Sequence, residues 1–176
     1  KRQLTQGFSI QLSQYYGAKD FENLRKSLAH SYRLTAFIAA GVLILSQSFA
    51  SLVLTGLHTP SNIIGMSLLY LRIIFCGIPA TAAYNMFASA LRAMGNSKTP
   101  LTAMIIASVL NVSLDILFVA GFGWGVAGAA IATVIAQSFS AVYCFLILRR
   151  IDIVHLTRAD FMPASGMNAR LMKLGI

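Results

Sequence analysis

Four long runs of apolar residues dominate the chain, and short polar connections separate them. The runs cover residues 34–57, 63–91, 99–121 and 124–148. Each is longer than the roughly 20 apolar residues that an α-helix needs to cross a bilayer core about 30 Å thick. Only two charged residues, Arg72 and Asp115, interrupt these runs. The pattern therefore predicts an all-α, polytopic membrane helix bundle with four complete spans.

Two shorter segments precede the first complete span. Residues 4–16 have the pattern of the inner end of another, partial span, which Gly17 would end in a left-handed conformation. Residues 20–31 place apolar residues on one face. We therefore expect an amphipathic helix on the membrane surface there, with Asp20 as its N-cap.

Polarity rises after the last span. Residues 151–176 predict a cytoplasmic linker followed by the start of a further helix. Residues 1–150 would then form part of an amino-terminal transmembrane lobe. With no initiating Met and no signal peptide, the sequence is expected to be a fragment of a longer protein.

Glycine and proline mark the expected interruptions between and within the spans. Gly95 would end one helix and Thr99 would cap the next. Pro100 would take the first helical position, where its missing N–H group costs nothing. Pro79 lies in the middle of residues 63–91, so we expect it to kink that helix.

Composition and charge agree with a membrane location. Of the 176 residues, 57% are hydrophobic and 11% are charged, whereas a soluble domain has about 25% charged residues. The net charge is +9, and the basic residues fall in alternate connections. By the positive-inside rule, connections 17–33, 92–98 and 149–176 are cytoplasmic and the protein spans the inner (cell) membrane. The charge therefore orients the chain in the lipid bilayer, and no nucleic-acid partner is expected.

Residues that carry enzymatic chemistry are scarce. Cys76 and Cys144 lie inside separate spans with no Cys or His at ligand spacing, and the three histidines are isolated in connections. The sequence shows no Ser-His-Asp set, no suitably spaced pair of carboxylates and no phosphate loop. We therefore expect no enzymatic activity and no cofactor.

A glycine motif between the last two spans allows a different interpretation. Gly123, Gly125 and Gly128 follow an apolar run, and Asp152 lies 24 residues after Gly128, as in a dinucleotide-binding turn. In a soluble domain the next helix must present one face to water, yet residues 129–148 have no charge. We instead expect a tight external turn at Gly121 and Gly123. The other small residues would let helices approach closely in lipid; they are Gly125, Gly128, Ala129, Ala132 and Ala136.

Asp115 is the polar residue that most needs an explanation. An aspartate in mid-membrane costs about 2.5–3.5 kcal/mol, so it is normally paired, protonated or functional. Asn111 lies one turn earlier on the same helix face, and Thr133, Gln137 and Tyr70 fall at similar depths in other helices. Carboxylate, amide and hydroxyl oxygens suit Na⁺, and a carboxylate can instead hold an exchangeable proton. The pattern predicts an ion-binding layer around Asp115.

A second interpretation of Asp115 is structural. Arg72 lies near the same depth, and an ion pair with Asp115 would give both residues a structural role. Tyr70 and Arg72 are two positions apart, so they point to nearly opposite sides of their helix and at most one of them faces Asp115. Gln137 could likewise form no more than a hydrogen bond between helices.

Several stretches of the chain share the order and spacing of one transporter family. They are "GFSIQLSQYYGAKD", "LRAMGNSKTPL", "LNVSLDILFVAGFGWGVAGAAIATVIAQ" and the run Tyr70-Leu-Arg-Ile. Together they resemble the multidrug and toxic compound extrusion (MATE) family, from residue 4 to around residue 150. Such proteins are twelve-helix antiporters made of two six-helix lobes. They export drugs and other cationic or amphipathic compounds in exchange for Na⁺ or H⁺.

The resemblance also implies which part of a transporter this chain would supply. It would cover the end of helix 2, helices 3 to 6 and the linker toward helix 7. In the prokaryotic branch, the ion site of the amino-terminal lobe corresponds to Asn111, Asp115 and Thr133, with Tyr70 and Gln137 nearby in the substrate cavity. An acidic residue of helix 1 completes the family's site, so helix 1 and the carboxyl-terminal lobe would be the missing partners.

Two other functions stay open at the level of sequence. A lipid-linked-oligosaccharide flippase of related architecture would have a more cationic cavity, to which only Arg72 could contribute here. A non-transporting membrane assembly subunit would instead pair Asp115 with Arg72 and take up no cation. The expected function is cation-coupled export by alternating access, with Na⁺ and H⁺ both open as the coupling ion.

Overall fold

The computed structural model describes residues 2–151, with side chains from residue 10 onward. The linker and further helix predicted for residues 151–176 fall outside the described residues, apart from Ile151. The described elements are helical: α1 Arg2–Gly17, α2 Phe21–Gly56, α3 Ile64–Cys76, α4 Ile78–Ala93, α5 Lys98–Asp115, a π-helical turn Ile116–Gly121, and α6 Gly125–Arg149.

The predicted all-α membrane bundle is confirmed. Four helical stretches are long and apolar enough to cross a bilayer: Phe21–Gly56, Ile64–Ala93, Lys98–Gly121 and Gly125–Arg149. Short connections join successive spans, so neighbouring spans run in opposite directions. We call the end of the bundle with connections 18–20 and 94–97 the basic end, and the end with connections 57–63 and 122–124 the bare end.

The first span differs from the sequence expectation. The predicted surface helix 20–31 and span 34–57 are one continuous helix, α2, because no glycine or proline separates them. Asp20 is the N-cap as predicted: its carboxylate accepts the Asn23 N–H at 3.2 Å and the Asn23 side-chain amide at 2.6 Å. These bonds stabilise the ionised form and hold the pKa of Asp20 below its ordinary value.

The apolar face that suggested a surface helix is in fact buried. Leu24 and Leu28 are fully inaccessible and belong to a core cluster at the basic end, together with Leu91 and Leu148. His30, expected in a connection, lies in α2 and is also buried. His155 is outside the described residues. The amphipathic pattern of this segment therefore reflects contact with protein and not with the membrane surface.

Two of the expected helix ends use different residues. α1 ends at Gly17, but the left-handed residue is Lys19, with φ 54°. Gly95 is left-handed as predicted, with φ +83°. Thr99 is not the cap of α5: its own N–H donates to Asn96 Oδ1 at 3.1 Å, and Pro100 is the third residue of the helix. The N-cap position is occupied by Ser97, whose side chain makes no cap hydrogen bond, and Asn96 satisfies the Thr99 N–H group instead.

The third span is broken where proline predicted a kink. α3 ends at Cys76 and α4 begins at Ile78, with Pro79 in its first turn and Gly77 between the two helices. Pro79 cannot donate to the preceding turn, so the helical hydrogen-bond pattern is interrupted there. The interruption falls at Gly77, two residues before the proline that causes it.

α6 packs against the helices of the two spans that precede it. It contacts α3, α4, α5 and the π-helical turn. Its buried stripe of small side chains repeats every four residues at Gly128, Ala132, Ala136 and Ser140, which lets neighbouring helices approach closely. Gly125, expected in this surface, is instead exposed with φ +53° and belongs to the turn with Gly123.

Gly128 marks the closest approach of α6 to the π-helical turn. A Cβ at Gly128 would lie 3.0 Å from Phe118 Cβ and 3.1 Å from Trp124 Cβ. Phe118, Phe122 and Trp124 stack on one another at this bare end, with centroids 5.2–6.0 Å apart. A larger residue at this position would require the turn or α6 to shift by a few tenths of an ångström.

Gly128→Ala should therefore lower the free energy of unfolding by about 1–3 kcal/mol through overpacking. Gly41→Ala is the matched control, because a Cβ there meets nothing within 4 Å and gains helix propensity of about 1 kcal/mol at most. Thermal unfolding of the full-length protein in detergent measures both. Equal melting temperatures for the two variants would contradict this account of α6 packing.

Candidate functional site

A partly open cavity of about 320 Å³ lies between α4, α5 and α6, and its apolar lining residues are Met104, Ala107 and Ala136. Its polar lining residues are Thr81, Tyr84 and Asn85 from α4, Ser108 and Asn111 from α5, and Thr133, Gln137 and Ser140 from α6. None of these side chains is charged. The cavity can therefore surround a cation or a hydrogen-bonding compound with hydroxyl and amide groups.

Helical periodicity explains why these residues converge. On α6, Thr133, Gln137 and Ser140 are four and three residues apart, so they form one face. Ser108 and Asn111 are three residues apart on α5, and Asp115 continues the same face one turn later. The polar stripes of antiparallel neighbours then meet along the line where the helices touch.

Direct hydrogen bonds join the helices across the cavity. Asn111 Nδ2 donates to Thr133 Oγ1 at 3.4 Å, linking α5 to α6. Thr133 Oγ1 in turn donates to the backbone oxygen of Ala129 at 3.0 Å. Since Asn111 donates with its nitrogen, its Oδ1 is the atom that can bind a cation. Thr81 Oγ1 donates to Gln137 Oε1 at 2.8 Å and links α4 to α6.

Asp115 lies one turn beyond the Asn111–Thr133 pair, toward the bare end. Asp115 is half-buried and is the last residue of α5. The π-helical turn that follows it is a feature common at functional sites. The contacts of Asn111 with Thr133 and of Phe118 with Gly128 place Asp115 between them, against α6. Asp115 Oδ1 is buried and has no hydrogen-bond partner among the described residues.

A buried oxygen without a partner requires a physical explanation, because leaving it unsatisfied costs free energy. An ion pair with Arg72, the structural interpretation of Asp115, does not supply that explanation. Arg72 is exposed, and within residues 10–151 no ion pair joins it to Asp115. Of the five buried side-chain atoms without a hydrogen-bond partner in the described residues, Asp115 Oδ1 is the only carboxylate oxygen, and a carboxylate oxygen can accept a cation or a proton.

The five predicted site residues thus fall into three groups. Asn111, Thr133 and Gln137 line the cavity together, and Asp115 adjoins it. Tyr70 is 38% exposed on α3 and does not line the cavity. The third helix of the polar layer is α4, which sequence reasoning did not single out.

The α4 residues could have been found from a signal in the sequence. Thr81 and Asn85 are four residues apart within a membrane span, where an amide side chain needs a partner. Tyr84 hydrogen-bonds the Pro100 carbonyl at 3.2 Å and joins α4 to α5 near the basic end. The four-residue spacing that linked Asn111 to Asp115 would also have identified Thr81 and Asn85.

The oxygen atoms brought together at the site are hard donors. No group of three His, Cys, Asp or Glu residues is close enough to hold a metal ion within the described part of the chain. The oxygens of Asp115, Asn111 and Thr133 suit Na⁺, and the carboxylate alone can take a proton.

Known proteins resemble this chain in sequence and in fold. Residues 3–117 match the family model MatE. The chain is 33% identical over 165 residues to the probable multidrug resistance protein YpnP of Bacillus subtilis, covering 94% of this chain and 37% of that relative. It also resembles a multidrug resistance MATE family transporter in its inward-facing and outward-facing conformations, with TM-scores of 0.90 and 0.88.

Both structural matches cover 98% of this chain and 40% or 39% of the solved one, at 24% identity, so they establish the fold alone. The chain spans less than two fifths of the length of YpnP.

The unpartnered oxygen generates a stability prediction. Asp115→Leu should raise the free energy of unfolding by about 1–3 kcal/mol, because it removes a buried polar group that has no hydrogen bond. Ser113→Leu, an exposed position on the same helix, should change it by less than about 0.5 kcal/mol. Thermal unfolding of the full-length protein in detergent without Na⁺ distinguishes them. A lower melting temperature for Asp115→Leu would mean that the carboxylate has a structural partner.

Proposed function

The chain belongs to the MATE family, and on that premise we propose that it forms the ion-binding part of a cation-coupled drug exporter. The complete protein exchanges Na⁺ or H⁺ for drugs or other amphipathic and cationic compounds by alternating access. The name of the B. subtilis relative, a probable multidrug resistance protein, supports this substrate class.

One observation carries the proposal: the buried, unpartnered Asp115 Oδ1 beside the Asn111–Thr133 hydrogen bond. An ionised carboxylate in the bilayer costs about 2.5–3.5 kcal/mol. Binding Na⁺ or a proton neutralises it, so the free energy of the lobe depends on whether the ion is bound. That dependence is what an antiporter needs to link ion binding to a change of conformation.

The coupling follows from linkage. If the ion binds one of two conformations more tightly, it shifts the protein toward that conformation, and the transported compound must affect ion binding by the same factor. The polar cavity adjoins Asp115 through Asn111, so a compound in the cavity lies next to the ion site. Tyr70 and Gln137 are proposed contributors to substrate recognition, Gln137 from inside the cavity and Tyr70 from α3.

The distribution of charge supports an orientation and a location. Lys19 lies in connection 18–20, and Arg92 and Lys98 flank connection 94–97, whereas 57–63 and 122–124 have no Lys or Arg. The basic end would face the cytoplasm and the protein would lie in the inner membrane of the cell. The ion site is then nearer the outer surface, since Asp115 is six residues, or about 9 Å, from Gly121.

The two rival functions receive less support from the same observations. A lipid-linked-oligosaccharide flippase would need a cationic cavity, and the lining contains no Lys or Arg. A non-transporting assembly subunit would pair Asp115 with Arg72, which the described part of the chain does not show. The proposed role is transport and not an enzymatic reaction.

Asp115→Asn should reduce ion-coupled export at least about 100-fold, since it removes the charge that the ion neutralises while keeping the side-chain shape. The measurement is ethidium efflux from cells that express the full-length protein, with membrane insertion checked by immunoblot. Asp20→Asn is the matched control, because asparagine caps a helix as well as aspartate does and Asp20 lies outside the spans. Undiminished efflux by inserted Asp115→Asn protein would refute the assignment.

A further inference from the structure

Two amide side chains approach the break in the third span from different helices. Gln47 of α2 donates from Nε2 to the backbone oxygen of Arg72 at 2.9 Å and to Cys76 Sγ at 3.4 Å. Gln137 of α6 accepts the Thr81 hydroxyl at 2.8 Å. Gln47 therefore binds the α3 half of the span, and Gln137 binds the α4 half.

Gly77 lets the Gln137 amide reach the break. A Cβ at Gly77 would lie 2.8 Å from Gln137 Oε1, 3.1 Å from the Ile74 oxygen and 3.1 Å from Val134 Cγ2. Gly77 is buried and has a helical φ of −77°, so its conformation does not require glycine. The close approach of α6 is what requires a glycine at this position.

The same helix face connects the break to the ion site. Thr133 and Gln137 are one turn apart on α6 and line one cavity. Thr133 bonds Asn111 of α5, and Gln137 bonds Thr81 of α4. Any shift of α4 along α6 at the break therefore acts on the turn of α6 that presents Thr133 to the ion.

We propose that Gln137 is a positioning residue that fixes the ion site to a hinge at Gly77. Its amide holds the α4 half of the broken span against α6 and thereby sets the position of Thr133 opposite Asn111. The α3 half is bonded by Gln47 of α2 and also packs against α6. A movement of the α4 half relative to α6 therefore breaks the contact between Gln137 and Thr81. This inference rests on the proposed ion site and identifies the element that regulates it.

The hydroxyl of Thr81 provides the sharpest test. Thr81→Val keeps the shape of the side chain but removes the hydroxyl, which lies 2.8 Å from Gln137 Oε1 and 3.1 Å from the Gly77 backbone oxygen, whereas Thr81→Ser keeps it. In the full-length protein, Thr81→Val should raise the Na⁺ or H⁺ concentration for half-maximal ethidium efflux about tenfold, as loss of a supporting contact does at other ion sites. Thr81→Ser should stay near the wild type. Maximal efflux at a saturating ion concentration should change far less. A general packing defect would instead lower maximal efflux as well.

Double variants separate the hydrogen bond from unrelated damage. Because Thr81 and Gln137 form one contact, Thr81→Val combined with Gln137→Leu should be no worse than the more severe single variant. Gly77→Ala should raise the half-maximal ion concentration in the same way, while Gly65→Ala on α3, with nothing within 4 Å of its Cβ, should not. Additive effects of Thr81→Val and Gln137→Leu, or an unchanged ion dependence in Thr81→Val, would overturn the proposal.

A distance measurement tests the hinge independently of transport. Spin labels at Arg92 of α4 and Leu146 of α6, both exposed, report the separation of the α4 half from α6. Cys76 is replaced by serine, which can still accept the Gln47 amide, and the other cysteines are removed. Thr81→Val should broaden this distance distribution and Thr81→Ser should not; equal distributions would overturn the hinge. If Asp115→Asn leaves efflux intact, the proposed function fails, yet the label distances still decide whether Gln137 holds the break.

Discussion

A carboxylate held in the apolar layer without a hydrogen-bond partner is the constraint on which this structure depends. Asp115 Oδ1 is buried where α5 meets α6, one turn from the Asn111–Thr133 bond and directly before the π-helical turn. The rest of the lobe keeps it there. Gly128 lets the π-helical turn pack closely on α6, and the stacked rings of Phe118, Phe122 and Trp124 cover that end of the bundle.

α6 packs closely against its neighbours with one face and presents polar side chains to the cavity with another. Its small residues, Gly128, Ala132 and Ala136, allow the close contacts that hold a membrane bundle together without a hydrophobic driving force between helices. Its polar residues, Thr133 and Gln137, bond α5 and α4 across the cavity. Because both sets lie on one rigid element, displacement of α4 or α5 changes the geometry of the ion site.

Sequence reasoning predicted those features that depend on composition along one helix. The four spans and the Asp20 cap are confirmed, and Asn111 and Thr133, which were predicted to lie in one layer, share a hydrogen bond. Features that depend on a neighbour were wrong or missed. The face of Leu24 and Leu28 is buried by protein that a single-helix pattern cannot show. Ser97 and not Thr99 is at the N-cap position of α5, and the Thr99 N–H is bonded to Asn96. α4 supplies the third wall of the cavity, where Tyr70 of α3 was expected.

The charge state of Asp115 tests the central claim most directly. Infrared difference spectroscopy of the full-length protein in lipid, with Asp115→Asn used to assign the signal, follows the carboxyl stretch of this one group as Na⁺ or H⁺ is added. The account predicts an Asp115 band that changes with the coupling ion and reverses when a transported compound such as ethidium is added. A carboxyl signal that stays the same under every ion and compound condition would contradict it.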